Sequence, residues 1–242
     1  MIFGKYRNTF IILILFLITE LFINPTGDFC LNDDWAYAAS VKTFLEKGVF
    51  ELGSWPAMTL VSHTLWGVFF SKLFGFSFTV LRFSVLCLSF ITVCCSERLI
   101  YKITHNSFMS LLFGLLLFWN PLFLSLSNSY MTDVSFLCFF LLSIFSFYCF
   151  FTTSHYKYLF IGFAFATVCI FIRQLGIIIP IGFLMIALLK YIANKNWKTI
   201  SLLSLVLTLI IILFAIFIRK KFIKFFKRGR LFSRIILLSK AD

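Results

Sequence analysis

Apolar residues dominate the chain in long unbroken runs, at approximately 8–24, 78–100, 107–126, 130–151, 157–172, 174–191 and 199–218. Runs of about 17–25 residues have the length an α-helix needs to cross a hydrocarbon layer. Barrel strands would alternate apolar and polar positions; these runs do not, so the pattern predicts helices. The fifth and sixth runs are short, and only Arg173 and Gln174 part them. One further stretch, Pro56 to Gly75, is apolar but carries Ser62, His63, Thr64 and Lys72. Between the first two runs, Asp34, Tyr37, Ala38, Val41 and Leu45 fall on one helical face and Lys42 and Glu46 on another. That period predicts an amphipathic helix starting at the doubled aspartate, capped by Asn32 or Asp33 with the following acid in its first turn.

Composition fixes the class. Of 242 residues, 61% are hydrophobic and 36 are phenylalanine, with a mean hydropathy of +1.02, more than a soluble domain of this size can bury. Lys5 and Arg7 before the first run resemble the start of a signal peptide. Glu20, Leu21 and Phe22 then occupy the place where small cleavage-site residues should stand, so a retained first span with a cytoplasmic N-terminus is expected. The seven cysteines show neither CxxC spacing nor neighbouring histidines, so no metal site and no structural disulfide is expected.

Charge sets the topology. Nine of the 22 basic residues follow Ile218, so the net charge of +13 is concentrated in a tail, and no nucleic-acid partner is expected. If Pro56–Gly75 lies along the surface, the chain crosses seven times. Lys5/Arg7, Arg98/Lys102, Lys157 and Lys190/Lys195/Lys198 then all face the cytoplasm, as the preference of short basic loops requires. The expected fold class is therefore all-α: a polytopic membrane protein of about seven transmembrane helices plus external juxtamembrane amphipathic helices. Residues 1–218 form the transmembrane module with an external loop at about 25–77, and residues 219–242 form a basic tail that emerges outside. The ending "LLSKAD" reads as a truncated continuation.

In this topology Glu20, Arg82, Asp133 and Arg173 gather at the outer membrane face, beneath the loop that carries Asp33 and Asp34. Charges at membrane depth are expensive and mark candidate functional sites. Each also has a plain reading: Arg82 as a snorkelling anchor, Asp133 as a first-turn acid complementing a helix dipole, Glu20 as one half of an ion pair, and Asp34 as a helix-start residue.

The residues also carry a family resemblance. "DDWAYAASVKTFLEKG" looks like the "DExxYxxxAxxxLxxG" opening of the first external loop of polyprenyl-phosphate-sugar-dependent glycosyltransferases of the GT-C fold. Protein O-mannosyltransferases and the aminoarabinose transferases of lipid A belong to this group. "SHTLWGVFFSKLFGFSFTVLRFSVL" resembles its aromatic surface helix, "LFG" turn and following arginine. "SNSYMTDVSFLCFFL" resembles its second external acidic motif, and "RQLGIIIPIGFL" its short paired helices. The resemblance runs collinearly over about residues 8–218, the N-terminal module of that fold.

The resemblance implies a sugar donor on a lipid phosphate and a glycan, lipid or protein acceptor. Transfer with inversion would occur on the external face of a bacterial inner membrane. Asp33 would be the general base and Asp133 the second acidic group. Asp34 and Tyr37 would shape the site, and Arg82 and Arg173 would contact the phosphate. The lysine that the family places before its surface-helix proline is Trp55 here, which leaves His63 or Lys72 as replacements; His63 otherwise lies at the interface. No cofactor beyond the lipid-linked donor is implied, and divalent metal use stays open. Family members continue beyond this length, so the chain is either truncated or completed by a partner membrane subunit. The alternatives are an inactive remnant or assembly subunit and, less favoured by plainly apolar span centres, a small lipid or solute transporter.

Overall fold

The computed structural model describes residues 2–50, 58–193 and 208. These residues are helical, with no strand among them, in the order α1 (Ile2–Ile23), α2 (Asp34–Lys47), α3 (Val61–Phe74), α4 (Phe78–Thr104), α5 (Ser107–Phe118), α6 (Pro121–Ser127), α7 (Thr132–Thr153), α8 (Tyr156–Ile172), a 3-10 turn (Gln174–Ile177) and α9 (Ile178–Ala193). Trp55 and Pro56, the run at 199–218 apart from residue 208, and the basic tail lie outside the described residues. The chain divides into two compact units, residues 1–179 and 180–242, and the first holds every element from α1 to the 3-10 turn.

Local chemistry explains the helix ends. Ser77 caps α4 by accepting from the Val80 amide, and Asn106 caps α5 by accepting from the amides of Phe108 and Met109. The run at 107–126, a single continuous span by hydropathy, is instead two helices, α5 and α6, bent by 63°. Asn120 accepts from the Leu122 and Phe123 amides, and Pro121, at the start of α6, has no N–H to continue the ladder of α5. At the C-terminus of α2, Gly48 adopts φ 66° and returns its N–H to the Phe44 carbonyl, which closes the helix as the sequence period predicts.

Packing within the first unit produces a single core. α7 lies along α8, α4 packs on both α5 and α7, α2 sits on α3, and α1 rests on α4 and α5. Ile12 and Phe16 of α1 meet Leu81, Val85 and Val93 of α4 and Phe118 of α5 in one buried cluster, which continues through Tyr37 and Val41 of α2 to Tyr130 and Val134. By length and composition two helices among the described residues, α4 and α7, are apolar enough to cross a membrane, or three spans if the bent α5–α6 pair counts as one. At about 1.5 Å per residue the 22 residues of α7 reach about 33 Å, just over a hydrocarbon core of about 30 Å. The 17 residues of α8 fall short of that thickness.

One glycine decides how closely α3 approaches the segment before α7. A Cβ at Gly67 would collide with the Tyr130 hydroxyl, which donates at 2.7 Å to the His63 carbonyl in the same helix. Gly67→Ala is expected to cost on the order of 1–3 kcal/mol, the range for overpacking a filled core. The measurement is the thermal unfolding midpoint in detergent, with Tyr130→Phe in the Gly67→Ala background expected to recover part of the loss. An unshifted midpoint for Gly67→Ala would show that the α3–Tyr130 contact does not constrain the fold.

Candidate functional site

Three segments distant in sequence converge: the start of α2, the start of α7 and the break after α8. The break exists because Arg173 leaves the helix in extended conformation, φ −141° and ψ 139°. The backbone there is tied to the segment before α3, since Thr59 Oγ1 donates to the Ile170 carbonyl at 2.9 Å and the Leu60 N–H to that of Ile172 at 3.2 Å. Arg173 Nη2 then donates to Asp133 Oδ2 at 2.7 Å, and its Nε to Thr132 Oγ1 at 2.8 Å. Asp133 is about one-third exposed and Arg173 about one-fifth (34% and 19%), so the pair opens to the surface.

Tyr37 links this pair to the aspartate loop. Burial pushes its phenol pKa up, Arg173 pulls it down, and Asp33 and Asp133 push it further up, so all three charged side chains act on one hydroxyl. Its O–H points to Met58 Sδ at 4.0 Å, and the same sulfur receives the Thr132 hydroxyl at 3.2 Å. Tyr37 therefore keeps its proton at neutral pH.

The two aspartates separate sharply. Asp33 occupies the N-cap position of α2 but its side chain makes no capping bond, which leaves a half-exposed carboxylate. Asp34 is fully buried: Oδ1 accepts from the Leu31 amide at 2.7 Å, and Oδ2 lies enclosed without a hydrogen-bond partner. Desolvation raises the Asp34 pKa, against the pull of the Leu31 and Tyr130 amides and the Arg82 charge. A carboxyl walled in this way shapes the loop and is not presented to a substrate.

Two further expectations need correction. Arg82 does not offer its guanidinium to the surface. It is 1% exposed, and its terminal nitrogens donate to the Pro25 and Gly27 carbonyls at 3.3 and 3.0 Å and to that of Phe29. His63 is not interfacial: it is 1% exposed, stacked on Tyr130 at 4.2 Å, with Nδ1 3.0 Å from Ser135 Oγ. Burial lowers its pKa to about 3, so it is uncharged at neutral pH and has no cation to give a phosphate. Lys72, the other candidate replacement, is exposed in the last turn of α3. Glu20 is buried beside Asn128 with both carboxylate oxygens unpartnered, and no basic group pairs with it among the described residues.

A second polar cluster lies apart from the residues that the sequence singles out. Glu97 Oε1 accepts from Asn8 Nδ2 at 2.9 Å and Ser110 Oγ at 3.0 Å, and Arg98 Nε stands 3.5 Å from Glu97 Oε2. Asn8 also reaches the Ser107 carbonyl at 2.8 Å, so the cluster joins α1, α4 and α5. The sequence signal for it is an acid inside an apolar run that continues through Leu99 and Ile100, together with Asn8 at the edge of the first run. Among the described residues, no group of three or more His, Cys, Asp or Glu is placed to hold a metal ion.

No protein-family model, curated protein or solved structure matches this chain. The class its described residues define is all-helical, with two helices among them, or three spans counting the bent pair, long and apolar enough to cross a membrane.

The neutrality of His63 has a measurable consequence. Its folded pKa lies below the ordinary value of about 6.5, so its contribution to stability is complete above that pH and is lost as pH falls toward 3. Between pH 7.5 and pH 5 the wild type should lose about 2 kcal/mol more than His63→Gln. Unfolding free energies in detergent at the two pH values test this. Equal losses in the two proteins would mean that the imidazole protonates freely in the fold.

Proposed function

We propose that the chain is a membrane glycosyltransferase module that moves a sugar from a polyprenyl-phosphate donor to an acceptor hydroxyl at the external face. One observation carries the reading: the Tyr37 and Thr132 hydroxyls meet at Met58 Sδ and Arg173 holds Thr132 Oγ1 and Asp133 Oδ2, which brings the start of α2, where Asp33 stands, to the start of α7 and the break after α8. Such a cluster holds the two kinds of group that transfer needs, a base for the acceptor and a cation for the leaving phosphate.

In this reading Asp33 takes the proton of the acceptor hydroxyl. The acceptor oxygen bonds to the anomeric carbon as the bond to the phosphate oxygen breaks, with inversion. The lipid phosphate leaves with the electron pair, and Arg173 offsets its charge. Asp133 and Thr132 hold Arg173 from two sides, which leaves one terminal nitrogen of the guanidinium for the phosphate. Tyr37 stays buried with its O–H directed at Met58 Sδ, so it supports the site from within. The membrane arrangement that goes with this is the seven-span topology, with α2 and α3 lying along the outer face in a bacterial inner membrane.

Asp33→Asn and Asp133→Asn, introduced into a strain lacking the gene, should reduce glycan transfer by about 100-fold or more, the scale of a lost general base. Mass spectrometry of envelope glycans reads the result. Transfer unchanged by both substitutions would remove the enzymatic reading and favour an inactive assembly subunit. Topology has its own test. Cys30 is exposed, so a membrane-impermeant maleimide should label it in intact cells, whereas a cysteine at Lys157 should label only after permeabilisation. The reverse pattern would place the site on the wrong side of the membrane for this reading.

A further inference from the structure

Arg82 is enclosed, and its hydrogen bonds among the described residues go to backbone carbonyls. Nη1 donates to the carbonyls of Pro25 and Gly27 and Nη2 to that of Phe29, while the Phe29 ring lies 4.6 Å from the guanidinium carbon. A planar fork of fixed donors can gather three carbonyls that a lysine ammonium could not reach together. The gathered segment does not take this path by local preference. Asn24 and Asn32 sit at φ 53° and 55°, and Gly27 at φ 135° with its carbonyl turned inward to the arginine.

The first turn of α4 makes the remaining ties. The Phe78 N–H donates to Asp28 Oδ1 at 2.8 Å, the Gly27 N–H donates to Thr79 Oγ1 at 2.9 Å, and the Thr79 hydroxyl lies 3.1 Å from the Gly27 carbonyl. Asp34 closes the far end by holding the Leu31 amide, and the Arg82 charge acts on its carboxyl. Residues 25–31 are thus pinned from beneath by α4 and from ahead by Asp34. Asp33, whose own side chain makes no capping bond, is placed by the pinned backbone on either side of it.

We propose that Arg82 is a positioning residue: it carries the 25–29 backbone on its guanidinium and so fixes the loop that presents the Asp33 carboxylate, without touching substrate. The catalytic part of this rests on the transferase reading; the mechanical part does not. Of the two arginines, Arg173 is then the one left to meet the phosphate.

The test uses Cys30, exposed and next to the carbonyl that Arg82 Nη2 holds, as the sole cysteine after replacement of the other six. A nitroxide on Cys30 in the full chain in detergent should give an immobilised electron paramagnetic resonance spectrum. Arg82→Lys, which keeps the charge and loses the fork, should shorten the rotational correlation time at least twofold, as should Arg82→Gln. Arg173→Gln, at the same end but off the loop, should leave the line unchanged. Should Arg82→Gln not fold, Asp28→Ala removes a lesser tie and should give an intermediate mobility in a chain still monodisperse by size exclusion. A rigid label in both Arg82→Lys and Asp28→Ala, or equal loosening by Arg173→Gln, overturns the pinning. A loosened label with glycan transfer intact leaves the pin but overturns the positioning role. Loss of transfer in Asp33→Asn with no transfer change in Arg82→Lys overturns that role as well, whereas loss in both variants supports it.

Discussion

A guanidinium removed from water must find its hydrogen bonds inside the protein, and at Arg82 it finds them in the backbone of a loop. Burial of an unpaired charge is costly enough that the surroundings must be organised around it. The three carbonyls it gathers fix the path from the end of α1 to the start of α2, and its position in the first turns of α4 fixes where that path lies. The core then fills in behind: Leu81 and Val85, its neighbours in α4, pack with Tyr37 and Val41 of α2. A structure rich in phenylalanine and leucine, which fit together in many ways, thereby acquires one defined arrangement at this end.

Much of the fold is legible in the sequence because hydrophobic period and caps speak directly to helices. The face of α2 that carries Tyr37, Ala38 and Val41 is buried as its spacing requires, and the acids and lysines of the opposite face stay out, with Lys42 and Glu46 4.0 Å apart. The pattern says less where it is uniform. The run at 107–126 is apolar throughout, so period alone does not reveal that Asn120 and Pro121 divide it; the cap and the proline are the signal. Length likewise separates α4 and α7 from α8, which hydropathy alone treats alike.

The candidate site is legible in part, for a physical reason. Asp133 and Arg173 are both expected at one end, and their pairing at 2.7 Å follows from opposite charges in an apolar setting. What the sequence does not convey is which way a charge faces. Arg82 and Arg173 look equivalent along the chain, each a lone arginine at the end of an apolar run. One meets carbonyls and the other meets a carboxylate, a difference set by loops folded over them from far away in sequence. His63 is misleading in the same way: an imidazole on an aromatic helix reads as interfacial until Tyr130 and Ser135 close over it.

The Asn8–Glu97 contact has a consequence in time. The two residues are 89 positions apart, and Ser110, the third member, is 102 from Asn8. At a synthesis rate of about 5–20 residues per second, roughly 4–18 s pass between the appearance of Asn8 and that of its acceptor. Throughout that interval the first helix exists without α4 and α5, the helices it packs against, and without the partners of its Asn8 amide. Only when α4 and α5 arrive does the clasp close at their shared end. The earliest helix made is thus fixed only after α4 and the start of α5 have emerged, and before α7 and α8 exist, an order of assembly written into the spacing of three polar residues.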